Sequence, residues 1–230
     1  MNHKTWLAIA LCLAGYLAFE AITYPRVGKL AYENPTTTAL MEVREEEARA
    51  AGKHLRRYQV WVNFSAISPN LKNAVLIAED AAFFQHDGLD YNEIREAFKV
   101  NAEKLDFARG ASTITQQLAK NLFLSPSKNP IRKLKESLLA FSLERNLSKR
   151  RIFEIYLNVI EWGNGIYGAE AAARSYYGHS CSELTEAEGA ALAAVIINPR
   201  RYNPIQPSKR IRHRVELIEA RMQKYRYYKN

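Results

Sequence analysis

From Tyr58 onward the chain follows a helical period cut by breakers, and this pattern limits the fold more than any other feature. Leu71, Ala74, Val75 and Ala78 recur at helical spacing. So do Ile131, Leu134, Leu138 and Phe141, and again Ile152, Ile155, Tyr156 and Val159. Residues three and four apart share one face of a helix, so each set predicts a helix that turns an apolar stripe to a core. Glu188–Ile197 is almost wholly apolar after its first residue and predicts a buried helix. Ser68-Pro69, Asp87-Gly88, Arg109-Gly110, Ser125-Pro126, Gly163 to Gly168 and Asn198-Pro199 separate these segments. Strand signals are few, the best being Tyr58–Phe64. The expected fold is a mostly α domain over residues 58–206.

The flanks read differently. Trp6 to Tyr24 is nearly all apolar, interrupted chiefly by Glu20. About 20 such residues cross a bilayer, so residues 1–24 are expected to form one transmembrane helix. Trp6 and Tyr24 stand where interfacial aromatics belong. A cleaved signal peptide is the alternative, although the stretch is long for its apolar core. His3 and Lys4 at one end and Arg26 and Lys29 at the other leave orientation open. Residues 25–57 are polar, with a charge run from Glu42 to Arg49, and read as a juxtamembrane linker or a solvated helix. Residues 207–230 read as a basic tail, carrying Lys209, Arg210, Arg212, Arg214, Arg221, Lys224 and Arg226. They suit a solvated helix face or contact with anionic headgroups. Lys and Arg number 33 against 24 Asp and Glu, a formal +9 that favours nucleic acid, an anionic membrane or a phosphorylated substrate. Cys12 and Cys181 are not expected to pair, and no Cys/His cluster has zinc spacing.

Polar clusters interrupt the scaffold. Glu79-Asp80 ends an apolar helix and runs through Phe83 and Phe84 to His86-Asp87-Gly88. A carboxylate held against apolar surface accepts protons near neutrality, which makes Glu79 a candidate base. The plainer alternative is an exposed helix end with His86 as a cap or a core histidine. Gly110 and Ser112 then look like a turn and an N-cap. On the following helix, at about 100° per residue, Thr113, Gln116, Gln117 and Lys120 fall in one arc. Ile114, Leu118 and Leu122 fall opposite. Uncharged donors ending in a cation suit a polyhydroxylated or phosphorylated ligand; a solvent-facing stripe is the alternative. Lys128, Arg132, Lys133 and Lys135 gather around Glu136, as a salt-bridged surface or as an anion site with an embedded acid. Arg151–Asn158 and the glycines 163, 165 and 168 read as structural, a core helix and a loop of special backbone angles. Ser125 and Lys128 match S-x-x-K acyltransferases in spacing, but no K-T-G follows, and Pro126 and Pro130 oppose the helix that motif needs.

In this order the clusters resemble the family-51 peptidoglycan glycosyltransferases. E-D-x-x-F-x-x-H-x-G is matched by Glu79 to Gly88, and G-x-S-T-I-T-Q-Q-x-x-K-N by Gly110 to Asn121. R-K-x-x-E is matched by Arg132, Lys133 and Glu136, and Tyr156-Leu157-Asn158 and Leu184–Pro204 resemble the remaining motifs. With no penicillin-binding domain after it in the sequence, the chain resembles the monofunctional members. Lys128 stands where relatives often carry Arg, keeping the charge without bidentate geometry.

The resemblance implies a lysozyme-like helical glycosyltransferase domain with a small membrane-facing lobe, on the outer (periplasmic) face of the bacterial cytoplasmic membrane. It implies an undecaprenyl-diphosphate-linked glycan as donor, lipid II as acceptor, and inversion at the anomeric carbon. Glu79 would take the proton of the acceptor's GlcNAc 4-hydroxyl. Lys120, Lys128, Arg132, Lys133 and Lys135, with Arg95 as a further cation, would face the leaving diphosphate. Glu136 would position the donor or orient the cations. Asp80, Ser112, Thr113, Gln116 and Gln117 would hold substrate oxygens. No cofactor is required, and a divalent cation (Mg or Mn) would ride on the diphosphate, because the sequence offers no dedicated cage. Expected partners are the lipid substrates, the membrane and cell-wall synthesis proteins, and not nucleic acid. The alternative on the same scaffold is a membrane-bound muramidase or lytic transglycosylase, whose sugar leaving group needs a proton and not a cluster of cations.

Overall fold

The computed structural model describes residues 5–7, 15, 24–91, 93–96, 112–126 and 129–228. Among them, eight α-helices surround one core: α1 (Ala39–Ala50), α2 (Pro69–Glu79), α3 (Ile114–Phe123), α4 (Pro130–Asn146), α5 (Lys149–Val159), α6 (Ala169–Tyr177), α7 (Glu186–Val195) and α8 (Lys209–Met222). The sequence breakers act as helix ends. Ser68 caps α2 by accepting from the Asn70 N–H, and Pro69 fills the first turn, where its missing N–H is not needed. Ser148, Thr185 and Ser208 cap α5, α7 and α8 in the same way.

The three expected core helices are present, but one is turned differently. In α2 every residue from Leu71 to Ile77 is buried. It lies against α7, where a β-carbon on Gly189 would come within 3.1 Å of the Asn70 carbonyl carbon, so glycine permits the close approach. In α4 the expected apolar stripe faces outward: Ile131, Leu134, Leu138 and Phe141 are all exposed. The buried face is Glu136, Leu139, Ala140 and Leu143, the next stripe around the same helix. It packs on α3, which is buried nearly all round. The helix has two apolar stripes, and spacing alone does not decide which one the neighbour covers.

The Tyr58–Phe64 strand shrinks to β1 (Tyr58–Gln59). It joins β2 (Glu161–Gly163) and β3 (Ile166–Tyr167) in a three-stranded sheet of order β1-β3-β2. β1 and β3 run parallel with Tyr58 opposite Ile166, and β2 and β3 form a tight antiparallel hairpin. The glycine loop is therefore a hairpin. Gly168 has φ +83°, and a β-carbon there would sit 2.6 Å from the Asn158 carbonyl oxygen. Asn158 is fully buried; its side chain accepts from the Val62 N–H and donates to the Val62 and Glu154 carbonyls. It ties the chain before α2 to α5.

Both flanks differ from expectation. Residues 25–57 are folded onto the domain: α1 buries Met41 completely, and Arg44 donates to the buried Glu161 at 3.2 Å. The basic tail is likewise a packed element. α8 buries Ile211, Ile218 and Met222 and lies against α2 and α7. Beyond it, Asn73 accepts from the N–H groups of Tyr227 and Tyr228 and donates to the Tyr228 carbonyl. In both flanks a few apolar residues among many charges carry the packing, which composition conceals. Among the described residues no helix is long and apolar enough to cross a membrane. Apart from Thr5, Trp6, Leu7, Gly15 and Tyr24, the expected anchor over residues 1–24 lies outside them, as does Cys12. Cys181 is a buried free thiol.

Candidate active site

Glu79 is the last residue of α2, and its side chain is 11% exposed. Both carboxylate oxygens have donors. Gln117 Nε2 on α3 reaches Oε2 at 2.9 Å, and Arg214 Nη2 on α8 reaches Oε1 at 2.9 Å. The Gln117 amide is itself oriented by the Tyr156 hydroxyl, which donates to its Oε1 at 3.0 Å. Burial pushes the Glu79 carboxyl above its ordinary range, while Gln117, Arg214 and Lys120 oppose the shift. The result is a carboxylate poised to accept a proton.

One cavity opens at this carboxylate, and a second is lined by Gln117, which donates to it. One, of about 670 Å³, is lined by Glu79 itself with Asp80, Glu93, Ser112, Arg214 and Arg221. The other, of about 450 Å³, is lined by Gln117, Lys120, Tyr156, Arg132, Arg44 and Glu161. The lining of the second is net positive, with Arg44, Lys120 and Arg132 against Glu161. Lys120 is drawn below its ordinary range by burial, with Glu136 opposing and with Arg132 and Lys133 reinforcing the fall. Glu136, 3% exposed, accepts from Arg132 Nη1 at 2.7 Å and from Lys133 Nζ. Lys133 also reaches the Ser112 hydroxyl at 3.0 Å. One buried acid therefore gathers cations beside a cavity, an arrangement that suits a diphosphate.

Other expected residues have structural work. Thr113 and Gln116 form a reciprocal capping box at the start of α3, and Thr113 Oγ1 donates to the Gly88 carbonyl at 2.7 Å. Both are buried and shape the helix start, and Thr113 also lines the larger cavity. Asp80 Oδ2 accepts from the Ile114 N–H at 2.9 Å, and His86 Nε2 lies 3.0 Å from Asp80 Oδ1. Asp80 thus ties the end of α2 to the start of α3. Asp80, His86 and Asp90 are the one trio among the described residues with ligand-type atoms within 4.8 Å of one another. Asp80 and His86 are engaged with each other, and Asp90 Oδ1 accepts from the Glu93 N–H. Arg95 is exposed, in the short helical stretch that also carries Glu93. Lys135 is half-buried on α4 and lines neither cavity. Lys128, with Gly110 and Ala111 of its neighbouring motif, lies outside the described residues.

Sequence reasoning missed two residues at the centre. Tyr156 reads as core because its helix is apolar, but a buried tyrosine hydroxyl needs a partner, and Gln117 supplies it. Arg214 sits among charges, yet it shares a face with Ile211 and Ile218 at spacings of three and four. A cation on the buried stripe of a helix was the available signal.

A family model described as Transglycosylase matches residues 46–223, from the end of α1 through α8. A biosynthetic peptidoglycan transglycosylase of Methylobacillus flagellatus is 44% identical over 222 residues, covering 94% of this chain and 95% of that protein. One of the same name from Aromatoleum aromaticum is 47% identical over 214 residues, covering 93% of each. Because the match runs through the helix that bears Arg214 as well as through every motif around Glu79, the chain belongs to the transglycosylase family.

Proposed function

We propose that the protein polymerises the glycan strands of peptidoglycan, with Glu79 as its general base. The observation that carries this reading is a buried carboxylate that lines one cavity and takes a hydrogen bond from Gln117 of a second, whose lining includes Lys120 and Arg132. The growing strand on its undecaprenyl diphosphate occupies the electropositive cavity, and lipid II enters the other. Glu79 removes the proton of the acceptor's GlcNAc 4-hydroxyl, and the oxygen attacks the donor anomeric carbon with inversion. The diphosphate departs with the bonding electrons, and pre-placed cations stabilise the charge that develops there. Lys128 belongs to this cation set by its place in the sequence, with Arg95 as a further cation toward the diphosphate. Glu136 orients the cations. A divalent cation, Mg or Mn, would add charge neutralisation on the diphosphate. Asp80 pairs with His86 and accepts from the Ile114 N–H, and Asp90 accepts from the Glu93 N–H, so these acids tie the site together.

Both substrates are lipid-borne, and two features suit an enzyme held at a membrane. Trp6 to Tyr24 is long and apolar enough to anchor the chain. The outward stripe of α4, Ile131, Leu134, Leu138 and Phe141, is an apolar face flanked by Arg132, Lys133 and Lys135. The Tyr24 hydroxyl donates to the Leu138 carbonyl at 3.4 Å, so the end of the apolar segment meets this stripe. A tethered domain meets tethered substrates at high effective concentration. The test is incubation with lipid II, and separately with purified sacculi. Polymer from the first, lost in Glu79→Gln, supports the reading; soluble muropeptides from the second and no polymer from the first mean a hydrolase.

A further inference from the structure

Arg214 reaches Glu79 from a part of the chain that carries none of the motifs. Its Nη2 is shared between Glu79 Oε1 at 2.9 Å and the Ala78 carbonyl at 3.3 Å. The guanidinium therefore grips both the last turn of α2 and the carboxylate that ends it. Its Nε is buried without a partner among the described residues, so the hydrogen bonds that hold the side chain there run through Nη2 to the end of α2. The helix behind it is firmly seated. α8 starts on the Ser208 cap, buries Ile211, Ile218 and Met222, and is followed by the segment that Asn73 clamps. That segment returns to the same loop, because the Tyr227 hydroxyl donates to the Ala81 carbonyl.

Taking Glu79 as the base, we propose that Arg214 is its positioning residue, fixing Oε1 so that the carboxylate keeps one orientation and its charge in the cavity that both residues line. The other groups around Glu79 do not replace it. From α3 come Gln117, an uncharged donor to Oε2, and Lys120, which acts on Glu79 through space without a direct hydrogen bond. From α5 comes the Tyr156 hydroxyl, spent on Gln117. Asp80, next in sequence, is an acid paired with His86, and Arg221 shares only the cavity lining. Arg214 is thus the one cation in hydrogen-bond contact with Glu79 among the described residues. Without it, burial is opposed by an amide and a more distant ammonium, and the carboxylate protonates more readily.

The experiment compares the full-length chain in detergent with Arg214→Met, Arg214→Gln and Arg214→Lys. Thermal unfolding identifies the variants that fold, and the Gln and Lys variants carry the test should the Met variant not fold. Glu79 is titrated by carbon NMR of its carboxyl, assigned by its loss in Glu79→Gln, and polymerisation of lipid II is followed over the same pH range. An opposite charge at this distance moves a carboxylate by about one to three units, so the titration should rise by about one unit in the Met or Gln variant. It should rise less in Arg214→Lys. The acid limb of kcat should move with it, whereas a merely structural arginine leaves that limb in place. An unmoved Glu79 titration in a folded Met or Gln variant overturns the inference. A wild-type chain that makes no polymer overturns the functional reading instead, and the titration still decides the coupling.

Discussion

Glu136→Gln removes the one acid around which the cations beside the cavity are organised. Glu136 is almost fully buried, while Arg132 is 19% and Lys133 46% exposed at the side chain. Breaking a fully buried ion pair costs about 3–5 kcal/mol. The exposed ends of both partners reduce this, and glutamine keeps one acceptor, so about 2–3 kcal/mol is expected. At about 2–4 °C per kcal/mol for a domain of this size, unfolding should fall by about 4–12 °C. The second effect is catalytic. Burial already draws Lys120 down, and Glu136 is the largest influence holding it up. With Glu136 gone and Arg132 and Lys133 unchanged, the ammonium loses its proton at lower pH. The alkaline limb of polymerisation should move toward neutrality, and kcat should fall more than KM rises. Thermal unfolding and lipid II turnover across pH measure both. A variant that unfolds within about 1 °C of wild type and keeps the alkaline limb would refute the idea that Glu136 organises the site.

Further outcomes follow from the same geometry. Lys120→Ala should lower kcat about 10- to 100-fold, as loss of a charge-assisted contact of about 1.5–3 kcal/mol predicts, while the exposed Lys224→Ala should stay near wild type; equal losses would mean that positive charge acts only diffusely. Gly168→Ala forces a side chain into positive φ and against the Asn158 carbonyl, and should cost at least about 2 kcal/mol in urea unfolding; a neutral result would show that the hairpin relaxes freely. Glu79→Gln should stabilise the fold at neutral pH, because the raised Glu79 pKa gives stability that is full below the unfolded carboxylate value and lost as pH rises through the folded one. Its advantage over wild type should shrink toward pH 4 and below, and a pH-independent difference would contradict the upward shift.

How much of this was legible depended on whether a residue's partners were near in sequence. Glu79, Gln117 and Lys120 could be read because an acid after an apolar run, and an amide and a cation on one helical arc, carry their own signal. Thr113 and Gln116 fall on the same arc, and Thr113 lines the larger cavity. Their spacing also spells a capping box, and the local hydrogen bonds satisfied helix α3 first. The stripe of α4 was misplaced because two apolar faces compete, and only α3 decides between them. Arg44 and Arg214 were hidden by charge-rich surroundings, although each stands near a residue that is buried, Met41 in one case and Ile211 in the other. Neither flank carries a motif, so only packing reveals that both belong to the site.

The three acids at the site differ in environment, and that difference favours a transferase over a hydrolase on the same scaffold. A glycosidase must protonate a departing sugar oxygen, so it needs a carboxyl that holds a proton and faces the leaving group. Glu79 has a donor on each oxygen, an amide on one and a guanidinium on the other, and donors favour the ionised form. Burial raises its affinity for a proton without placing an acceptor beside it, so the carboxylate is prepared to receive a proton. Glu136 lies under Arg132 and Lys133, and Asp80 is taken by His86 and the Ile114 N–H. None of the three is placed as an acid for a sugar leaving group. The leaving group has to depart as an anion, and Lys120 with Arg132 lines the cavity where that charge would appear.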